Sequence, residues 1–315
     1  MKPFYSFRQL GVHGRLGNQL WQYACVRALA LRNDCDVRVP YLENRHHHGQ
    51  QCLLQKHFNV DIEPLTWRES TMIERRYTEQ DPFSFDDMVL KQKPYTDLFG
   101  FFQSIDYFRD FEQQIKKELK PKNVKGEHAF IDPFSLARLS LGVLKEKYDC
   151  EKLVSMHMRR GDNTDKSNPQ QYEILKQIYG VNGAFDEQSI YGQYFDKARQ
   201  HFGKDCKFLI FTGGSRQKGK DNKDYEWCRE NFTGDEFLFA DEIKTVIHIP
   251  QPILDFCLIA CCDGSIVSHL SSFGWWATYI GDDEKKKIIC PQNYHCDRID
   301  IDYRQGFYPE RWIKV

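Results

Sequence analysis

Two consecutive arginines directly follow an apolar segment in the second half of the chain. They lie in the sequence HMRRGD at residues 157–162, after Leu153–His157. Arginines at this point are poorly placed for a protein core. Their fixed, forked donors match the oxygens of a phosphate and keep their charge at any working pH. Asp162 is placed to hold one arginine in position. The pattern predicts an anion site, and a surface ion-pair cluster is the alternative.

Two serines mark a second candidate anion site. They begin the sequence SSFGWW at residues 271–276, which follows another apolar segment and opens a predicted helix. Ser271 or Ser272 is suited to cap that helix. The free backbone N–H groups of a helix start, with hydroxyl groups beside them, attract anions. A plain helix cap explains the same residues, so this motif alone does not decide between the two. Trp275 and Trp276 are expected to pack in the core.

A single carboxylate stands near the start of a third apolar segment. Asp255 lies in the predicted helix 253–262. One interpretation is a negative charge that stabilises the N-terminus of the helix. The other is a ligand contact, because a carboxylate accepts hydrogen bonds from both N1–H and the N2 amine of guanine. Nothing in the local sequence chooses between these interpretations.

A glycine turn precedes the first predicted helix. Its sequence is GRLGNQ at residues 14–19. The spacing is not that of a GxGxxG dinucleotide motif, and the lysine and hydroxyl residue of a P-loop are missing. Asn18 and Gln19 instead supply neutral donors and acceptors, which suit the hydroxyl groups of a sugar.

A DxD triplet offers the alternative of a metal site. Asp300 and Asp302 lie beyond the last predicted strand, in a polar tail of alternating charge. Many glycosyltransferases hold a divalent metal with such a triplet. The paired arginines and the helix start can stabilise a charged leaving group without a metal. The triplet is therefore interpreted as a chance occurrence.

The elements that position these residues alternate between strand and helix. In the first part of the chain, a strand at Phe4–Val12, a helical pattern from Leu20 to Leu31 and a strand at Asp36–Pro40 predict a βαβ unit. In the second part, five strands are interleaved with four helices. The predicted strands are Leu153–His157, Phe208–Thr212, Phe237–Ala240, Ser265–Ser268 and Lys287–Pro291. The predicted helices are Gln188–His201, Tyr225–Asn231, Ile253–Cys262 and Ser272–Ile280.

This alternation predicts two α/β domains. Interleaved strands and helices build a parallel, doubly wound sheet, and such sheets bind ligands at the carboxyl ends of their strands. A segment rich in lysine and proline at 116–125, followed by an amphipathic stretch at 126–150, marks the boundary. We expect one domain at residues 1–145 and the other at 146–315. Two such domains facing each other would enclose a central cleft.

Composition and charge exclude several classes of protein. The net charge is −1 and no basic stripe is visible, so no nucleic-acid partner is expected. No apolar run reaches the roughly 18 residues of a membrane-spanning helix, and residues 1–7 do not resemble a signal peptide. The eleven cysteines are scattered and odd in number, without a CxxC pair. These features favour a reduced, cytoplasmic protein. The Golgi lumen is the alternative if the chain is a truncated form of an anchored protein.

Four motifs together resemble the α-1,2-fucosyltransferase family, which has bacterial, viral and animal members. The family patterns are close to GxLGNQxxQYA, GYxQSxxYF, HxRRGD and SSFSWW. The matching segments in this chain are GRLGNQLWQYA at 14–24, GFFQSIDYF at 100–108, HMRRGD at 157–162 and SSFGWW at 271–276. Their order agrees with the family, and the resemblance covers about residues 10 to 291.

The resemblance implies a fold and a reaction. The implied fold is α/β of the GT-B type, with an acceptor-side Rossmann-like domain at 1–145, a donor-binding one at 146–315 and a cleft between them. The implied reaction moves L-fucose from GDP-fucose to a hydroxyl of a glycan acceptor, galactose O2, with inversion and without a metal. Transfer in another linkage, α-1,6 or to protein, and a catalytically silent sugar-nucleotide-binding protein are the alternatives.

The resemblance also implies roles for individual residues. It implies that Arg159 binds the β-phosphate of GDP-fucose and that Asp255 reads guanine. The other implied donor-site residues are His157, Arg160, Asp162, Ser271, Ser272 and Phe273, and Asn18 and Gln19 are expected near the fucose. Asp165, just beyond the arginine motif, is the candidate catalytic base. Gly274 departs from the family pattern, which has a serine there. The sequence FTGG at 211–214 stands where the family often has FSDD, and the charged insert 216–223 follows it.

Overall fold

The structure is a computed structural model that describes residues 2–47, 49–82, 84–126, 129–160, 189–213, 222–245, 247–292 and 306–315. The chain forms two compact units. Unit 1 comprises Met1–Asn123 and Tyr303–Pro309, and unit 2 comprises Val124–Asp302 and Glu310–Val315.

Unit 1 is built on a five-stranded sheet in which every neighbouring pair is parallel. The strands of unit 1 are β1 (Phe4–Ser6), β2 (Asp36–Val39), β3 (His46–His47), β4 (Gln50–Gln51), β5 (Glu63–Pro64), β6 (Arg75–Thr78) and β7 (Thr96–Phe99). The sheet has the order β5-β2-β1-β7-β6, while β3 and β4 form a separate antiparallel pair. The α-helices are α1 (Leu16–Arg32), α2 (Leu54–His57), α3 (Trp67–Ser70) and α4 (Glu112–Glu118).

Helix α1 is buried over most of its circumference, because apolar and aromatic residues lie on all of its sides. Two of its buried polar side chains, Tyr23 and Arg27, are paired with α4. The Tyr23 hydroxyl donates to Glu118 Oε2 at 2.5 Å, and Arg27 Nη2 donates to Glu118 Oε1 at 2.9 Å. Such pairing removes the cost of burying polar groups. It fixes the helix that follows the glycine turn.

Unit 2 contains a six-stranded sheet, and all of its pairs are parallel. The strands of unit 2 are β8 (Val124–Lys125), β9 (Phe130–Ile131), β10 (Lys152–Met158), β11 (Cys206–Thr212), β12 (Phe237–Phe239), β13 (Gly264–Ile266), β14 (Lys287–Cys290) and β15 (Ile313–Lys314). The order of the sheet is β12-β11-β10-β13-β14-β15, and β8 and β9 form an antiparallel pair. The helices are α5 (Pro133–Lys147), α6 (Ile190–Gln200), α7 (Lys223–Asn231), α8 (Gln251–Cys261) and α9 (Ser272–Ile280).

Both units have the parallel α/β architecture that the alternation of elements predicts. All five strands predicted for the second domain are present, with shifts of at most two residues at their ends. The sixth strand, β15, extends the sheet beyond β14. The predicted fold class, α/β with two Rossmann-like units, is confirmed.

The units divide the chain at residue 123, whereas the sequence analysis placed the division at 145. Helix α5 causes the difference, because it belongs to unit 2. Asp132 caps its start by accepting from the N–H groups of Phe134 and Ser135. Near its end, Lys145 pairs with Asp263 at 2.8 Å. Residues Pro133–Lys147 of the amphipathic stretch therefore form a helix of the second unit. The assignment of acceptor and donor roles to the units stays a prediction.

No helix in the described ranges combines the length and the apolar character that crossing a bilayer requires. The ten cysteines in the same ranges are all free thiols. The cellular location stays a prediction.

Candidate functional site

The arginine motif lies at the carboxyl end of the central strand of unit 2. Strand β10 is flanked by β11 and β13, and its residues are buried on both faces. Thr212 Oγ1 donates to the Met158 carbonyl at 3.1 Å, so the end of β11 holds the last residue of β10. Arg159 and Arg160 follow and are partly buried. The edge at which they lie is the ligand-binding edge of parallel α/β sheets.

Arg160 is held by helix α7. Its Nε donates to Asp224 Oδ1 at 3.2 Å, and the two side chains are 11% and 12% exposed. The guanidinium carbon lies 3.9 Å from the ring centroid of Trp227, in a cation–π contact. Asp162, predicted to hold an arginine, lies outside the described residues. Asp224 and Trp227 hold Arg160, and the sequence analysis missed both.

Arg159 has a different environment from its neighbour. Its Nη1 donates to the Arg160 carbonyl at 2.9 Å, so the backbone of Arg160 supports it. The charge of Arg159 also acts on His157. Burial, and then this positive charge, lower the pKa of His157 to about 3. The imidazole is therefore neutral near pH 7, and the positive charge at the end of β10 is carried by the arginines.

Ser271 joins the start of helix α9 to strand β10. Leu270 adopts a left-handed conformation, with φ of 56°, and turns the chain into the helix. Ser271 Oγ accepts from the Gly274 N–H at 3.0 Å and lies 2.9 Å from His157 Nδ1. The Ser268 hydroxyl donates to the His157 carbonyl. The predicted N-cap is present, and it brings Ser271, Ser272 and Phe273 beside the end of β10.

The glycine that departs from the family pattern stands at this same contact. A Cβ at Gly274 would lie 3.2 Å from His157 Cβ and 3.2 Å from Ser271 Oγ. Those distances are tighter than ordinary van der Waals contact. The first turn of α9 therefore approaches β10 more closely here than a larger residue permits without an adjustment.

Aromatic contacts extend the site toward helix α8. The ring of Phe273 lies 5.6 Å from His157 and 6.0 Å from Phe256, measured between centroids. Asp255 precedes Phe256 and is 6% exposed. It is the fifth residue of α8, beyond the first turn in which a helix dipole acts strongly. This position argues against the interpretation of Asp255 as a simple N-terminal helix charge.

In unit 1, Gln19 stabilises the glycine turn. Its side chain is buried, Nε2 donates to the Gly14 carbonyl at 2.9 Å, and Oε1 accepts from Cys52 Sγ at 3.3 Å. Both ends of the amide are engaged within the unit. The contact of Gln19 with a sugar stays a prediction, and the structure shows a structural role for this residue.

Asn18 connects two of the motifs in unit 1. Its Oδ1 accepts from Gln103 Nε2 at 2.8 Å, across 85 residues of sequence. Glu79 orders the second motif by accepting from the N–H groups of Phe101 and Phe102, at 2.7 and 2.8 Å. The local sequence around Glu79 and Gln103 predicts no role for either side chain. Gln103 lies within the segment 100–108 that carries the resemblance, and that was the available signal.

Several predicted residues lie outside the described ranges. These are Asp162, the candidate base Asp165, and the DxD carboxylates Asp300 and Asp302. Within the ranges that are described, no three His, Cys, Asp or Glu side chains gather in an arrangement that could hold a metal ion. Metal independence stays a prediction.

The family model described as Glycosyl transferase family 11 matches residues 6–315. A galactoside alpha-(1,2)-fucosyltransferase 1 of Sus scrofa is 25% identical over 271 residues, which are 85% of this chain and 63% of that protein. The protein of the same name from Aotus azarae is 27% identical over 269 residues, with the same coverage. This chain therefore spans about 63% of the length of these relatives.

A solved structure is also similar. The fucosyltransferase NodZ from Bradyrhizobium is 11% identical, with a TM-score of 0.44 over 88% of this chain and 92% of that one. The evidence for membership is the family model, which covers the chain from residue 6 to its last residue. The chain belongs to glycosyl transferase family 11.

Proposed function

We propose that this chain transfers L-fucose from GDP-fucose to galactose O2 of a glycan acceptor, with inversion and without a metal ion. Family membership and relatives named galactoside alpha-(1,2)-fucosyltransferase support the proposal. The observation that carries it is the position of Arg159, at the carboxyl end of the central strand and beside a helix start that Ser271 and His157 fix in place.

Unit 2 is the donor-binding unit in this proposal. Arg159 binds the β-phosphate, and the N-terminus of α9 at Ser272 and Phe273 adds backbone N–H groups. Asp255 accepts from N1–H and the N2 amine of guanine. His157 is neutral and acts through Ser271, whereas Arg160 acts through its backbone carbonyl, which Arg159 contacts.

The reaction is a single displacement. The acceptor hydroxyl attacks fucose C1 from the face opposite GDP, the bond from C1 to the β-phosphate oxygen breaks, and the proton of the hydroxyl passes to a base. Asp165 is the proposed base. Negative charge grows on the β-phosphate as the bond breaks. A guanidinium positioned beforehand stabilises this charge without rearranging during the step. Unit 1 contributes polar groups for the sugars, among them Asn18.

The test is transfer from radiolabelled GDP-fucose, in the presence of EDTA, to acceptors that end in galactose, xylose or N-acetylglucosamine. Product linkage is read by methylation analysis. EDTA-resistant product with fucose on galactose O2 supports the donor, the linkage and the absence of a metal requirement. Product in α-1,6 linkage or on protein identifies another fucosyltransferase. GDP-fucose binding without transfer or hydrolysis identifies a binding protein.

A further inference from the structure

Two arginines of unit 1 share one fully buried carboxylate. Arg8 Nε and Arg76 Nε both donate to Asp97 Oδ2, at 2.9 and 3.0 Å, and the Arg8 backbone N–H donates to Oδ1 at 2.8 Å. The Asp97 side chain is 0% exposed, whereas those of Arg8 and Arg76 are 39% and 43% exposed. Asp97 therefore anchors two guanidinium groups that still reach solvent.

The terminal amino groups of both arginines remain available. Arg8 and Arg76 use their Nε atoms on Asp97, and their Nη atoms form no hydrogen bond with any residue that the structure describes. A guanidinium carries its forked donors on these Nη atoms. Two half-exposed guanidinium groups held by one carboxylate form an arrangement that matches the oxygens of a carboxylate, sulfate or phosphate group.

A third arginine adds positive charge to this place. Arg45 Nη2 donates to the Arg8 carbonyl at 2.9 Å, while its Nε is buried without a hydrogen-bond partner in the described part of the chain. Burial lowers the pKa of Arg45 below its usual range. Among the described residues, the carboxylate that pairs with Arg8 and Arg76 is Asp97, and the three guanidinium groups outnumber it.

Aromatic rings lie beside the arginines. The Arg76 guanidinium carbon is 5.6 Å from the Phe99 ring centroid. His13 stacks against Phe99 and Phe101, with centroids 5.0 and 4.5 Å apart. Burial, and then the neighbouring His47, lower the pKa of His13, so its ring adds a flat surface and little charge. All three rings are partly exposed. Flat rings beside a few charged donors are typical of small-molecule sites.

The cluster lies toward the ligand-binding edge of unit 1. Arg8 comes two residues after the last residue of β1, and Phe99 is the last residue of β7. These strands are parallel neighbours in the centre of the sheet. Ligands of parallel α/β sheets bind outside the carboxyl ends of such strands.

We propose that Arg8 and Arg76, with Phe99 and His13 beside them, bind an anionic group on the acceptor glycan, so that the acceptor is an acidic galactoside. The assignment to the acceptor rests on the proposed function, which gives the GDP phosphates their own cation, Arg159, in unit 2. The anion site itself rests only on the geometry of unit 1.

The first experiment measures binding to the full chain by titration calorimetry at low salt. The probes are lactose, lactobionate, lactose 6-sulfate and lactose 6-phosphate, which separate carboxylate, sulfate and phosphate. We expect at least one anionic probe to bind about tenfold more tightly than lactose, with a preference that weakens as salt is raised. Equal binding of lactose and all three anionic probes would overturn the inference.

The second experiment tests whether Arg8 and Arg76 cause the preference for anionic probes over lactose. The single variant Arg76→Gln removes one guanidinium group. The triple variant combines Arg8→Gln, Arg76→Gln and Asp97→Asn, so it removes both guanidinium groups without leaving a buried unpaired carboxylate. Arg75→Gln is the matched control, because Arg75 is 42% exposed and pairs with Glu74. We expect the triple variant to bind anionic probes and lactose equally, and the control to retain the preference. A preference that survives in the folded triple variant contradicts the inference.

Two further outcomes separate this inference from the proposed function. If the triple variant loses affinity for GDP and keeps its preference among the lactose probes, the arginines serve the donor and the inference is wrong. If the chain transfers no fucose and still binds an anionic probe through these arginines, the proposed function fails and the anion site stands.

Discussion

The guanidinium of Arg160 lies over the indole ring of Trp227, with its carbon 3.9 Å from the ring centroid. The same guanidinium pairs with Asp224, one turn earlier on α7. Arg159 in turn donates to the Arg160 carbonyl at 2.9 Å. Helix α7 therefore supports the backbone that Arg159 contacts. The two arginines of the motif therefore have separate roles. Arg160 is held by helix α7, and Arg159 is held by the backbone carbonyl of Arg160.

Loss of the Trp227 ring is expected to impair donor use. In Trp227→Ala, Arg160 loses the ring beneath it, and the support of Arg159 becomes less rigid. We expect kcat/KM for GDP-fucose to fall by about 5- to 50-fold, since small displacements of catalytic groups have large effects. The check is initial rates at varied GDP-fucose. Trp227→Phe keeps an aromatic face and should stay within about threefold of the parent. A Trp227→Ala enzyme with unchanged kcat/KM contradicts this role.

Replacement of Ser271 separates a helix cap from a site contact. Ser271→Ala and Ser189→Ala each remove a side-chain oxygen that accepts a helix N–H at 3.0 Å. Both should lower the free energy of unfolding by about 1 kcal/mol in urea titrations. Only Ser271 also contacts His157, so only Ser271→Ala should weaken GDP binding. Equal GDP affinity in the two variants would show that Ser271 is a cap alone.

The Gln103–Asn18 hydrogen bond is expected to affect the acceptor more than the donor. Gln103→Ala removes a 2.8 Å hydrogen bond to the side-chain oxygen Oδ1 of Asn18 and should lower the free energy of unfolding by about 1 kcal/mol. It should lower kcat/KM for the acceptor severalfold and leave the Kd for GDP unchanged. Gln114→Ala is the control, because Gln114 bonds Glu118 elsewhere in unit 1. A changed Kd for GDP with normal acceptor kinetics contradicts this expectation.

Two buried histidines predict a loss of stability in acid. Burial lowers the pKa of His269 to about 3, and burial with the Arg159 charge lowers that of His157 to about 3. The unfolded chain binds these protons below about 6.5 and the folded protein does not. The contribution of these two histidines to the free energy of unfolding is therefore complete above pH 6.5 and decreases as the pH falls from 6.5 toward 3. Urea midpoints at pH 7.5 and 5.0 measure this loss.

A single substitution tests how much of the loss of stability in acid comes from His269. His269→Gln removes one titrating imidazole, so its urea midpoint should change less between pH 7.5 and 5.0 than that of the parent. The exposed His201 provides the control substitution, His201→Gln, which should keep the parent's pH dependence. A parent protein equally stable at both pH values contradicts the prediction for both histidines.

Much of unit 2 was predictable because its strands and helices differ in pattern. Continuous apolar runs such as Phe208–Thr212 are typical of strands covered on both faces, and the predicted helix Ser272–Ile280 has the observed bounds. Strand β15 was missed because it has only two residues and gains its place by pairing with β14. No local pattern can signal so short an element.

Unit 1 was harder to predict because its sheet depends on distant partners. Strand β6 reads Arg-Arg-Tyr-Thr, and its polar character hides it until Asp97 of β7 is seen to accept from Arg76. The contacts of Gln103 with Asn18 and of Asp224 with Arg160 join residues 85 and 64 positions apart. Motif spacing identified the arginines and the serine cap. Only the fold shows which residues hold them.

The measurement that bears most directly on the central claim is turnover and GDP binding by Arg159→Ala and Arg159→Lys. Arg138→Ala is the control, because Arg138 is an exposed arginine on α5 of the same unit. If Arg159 stabilises the departing β-phosphate, Arg159→Ala should lose at least about 100-fold in kcat with an unchanged urea midpoint, as removal of one preorganised donor does elsewhere. Arg159→Lys should recover only part of the rate, because a lysine lacks the forked donors. Near-normal turnover of GDP-fucose by Arg159→Ala would contradict the account.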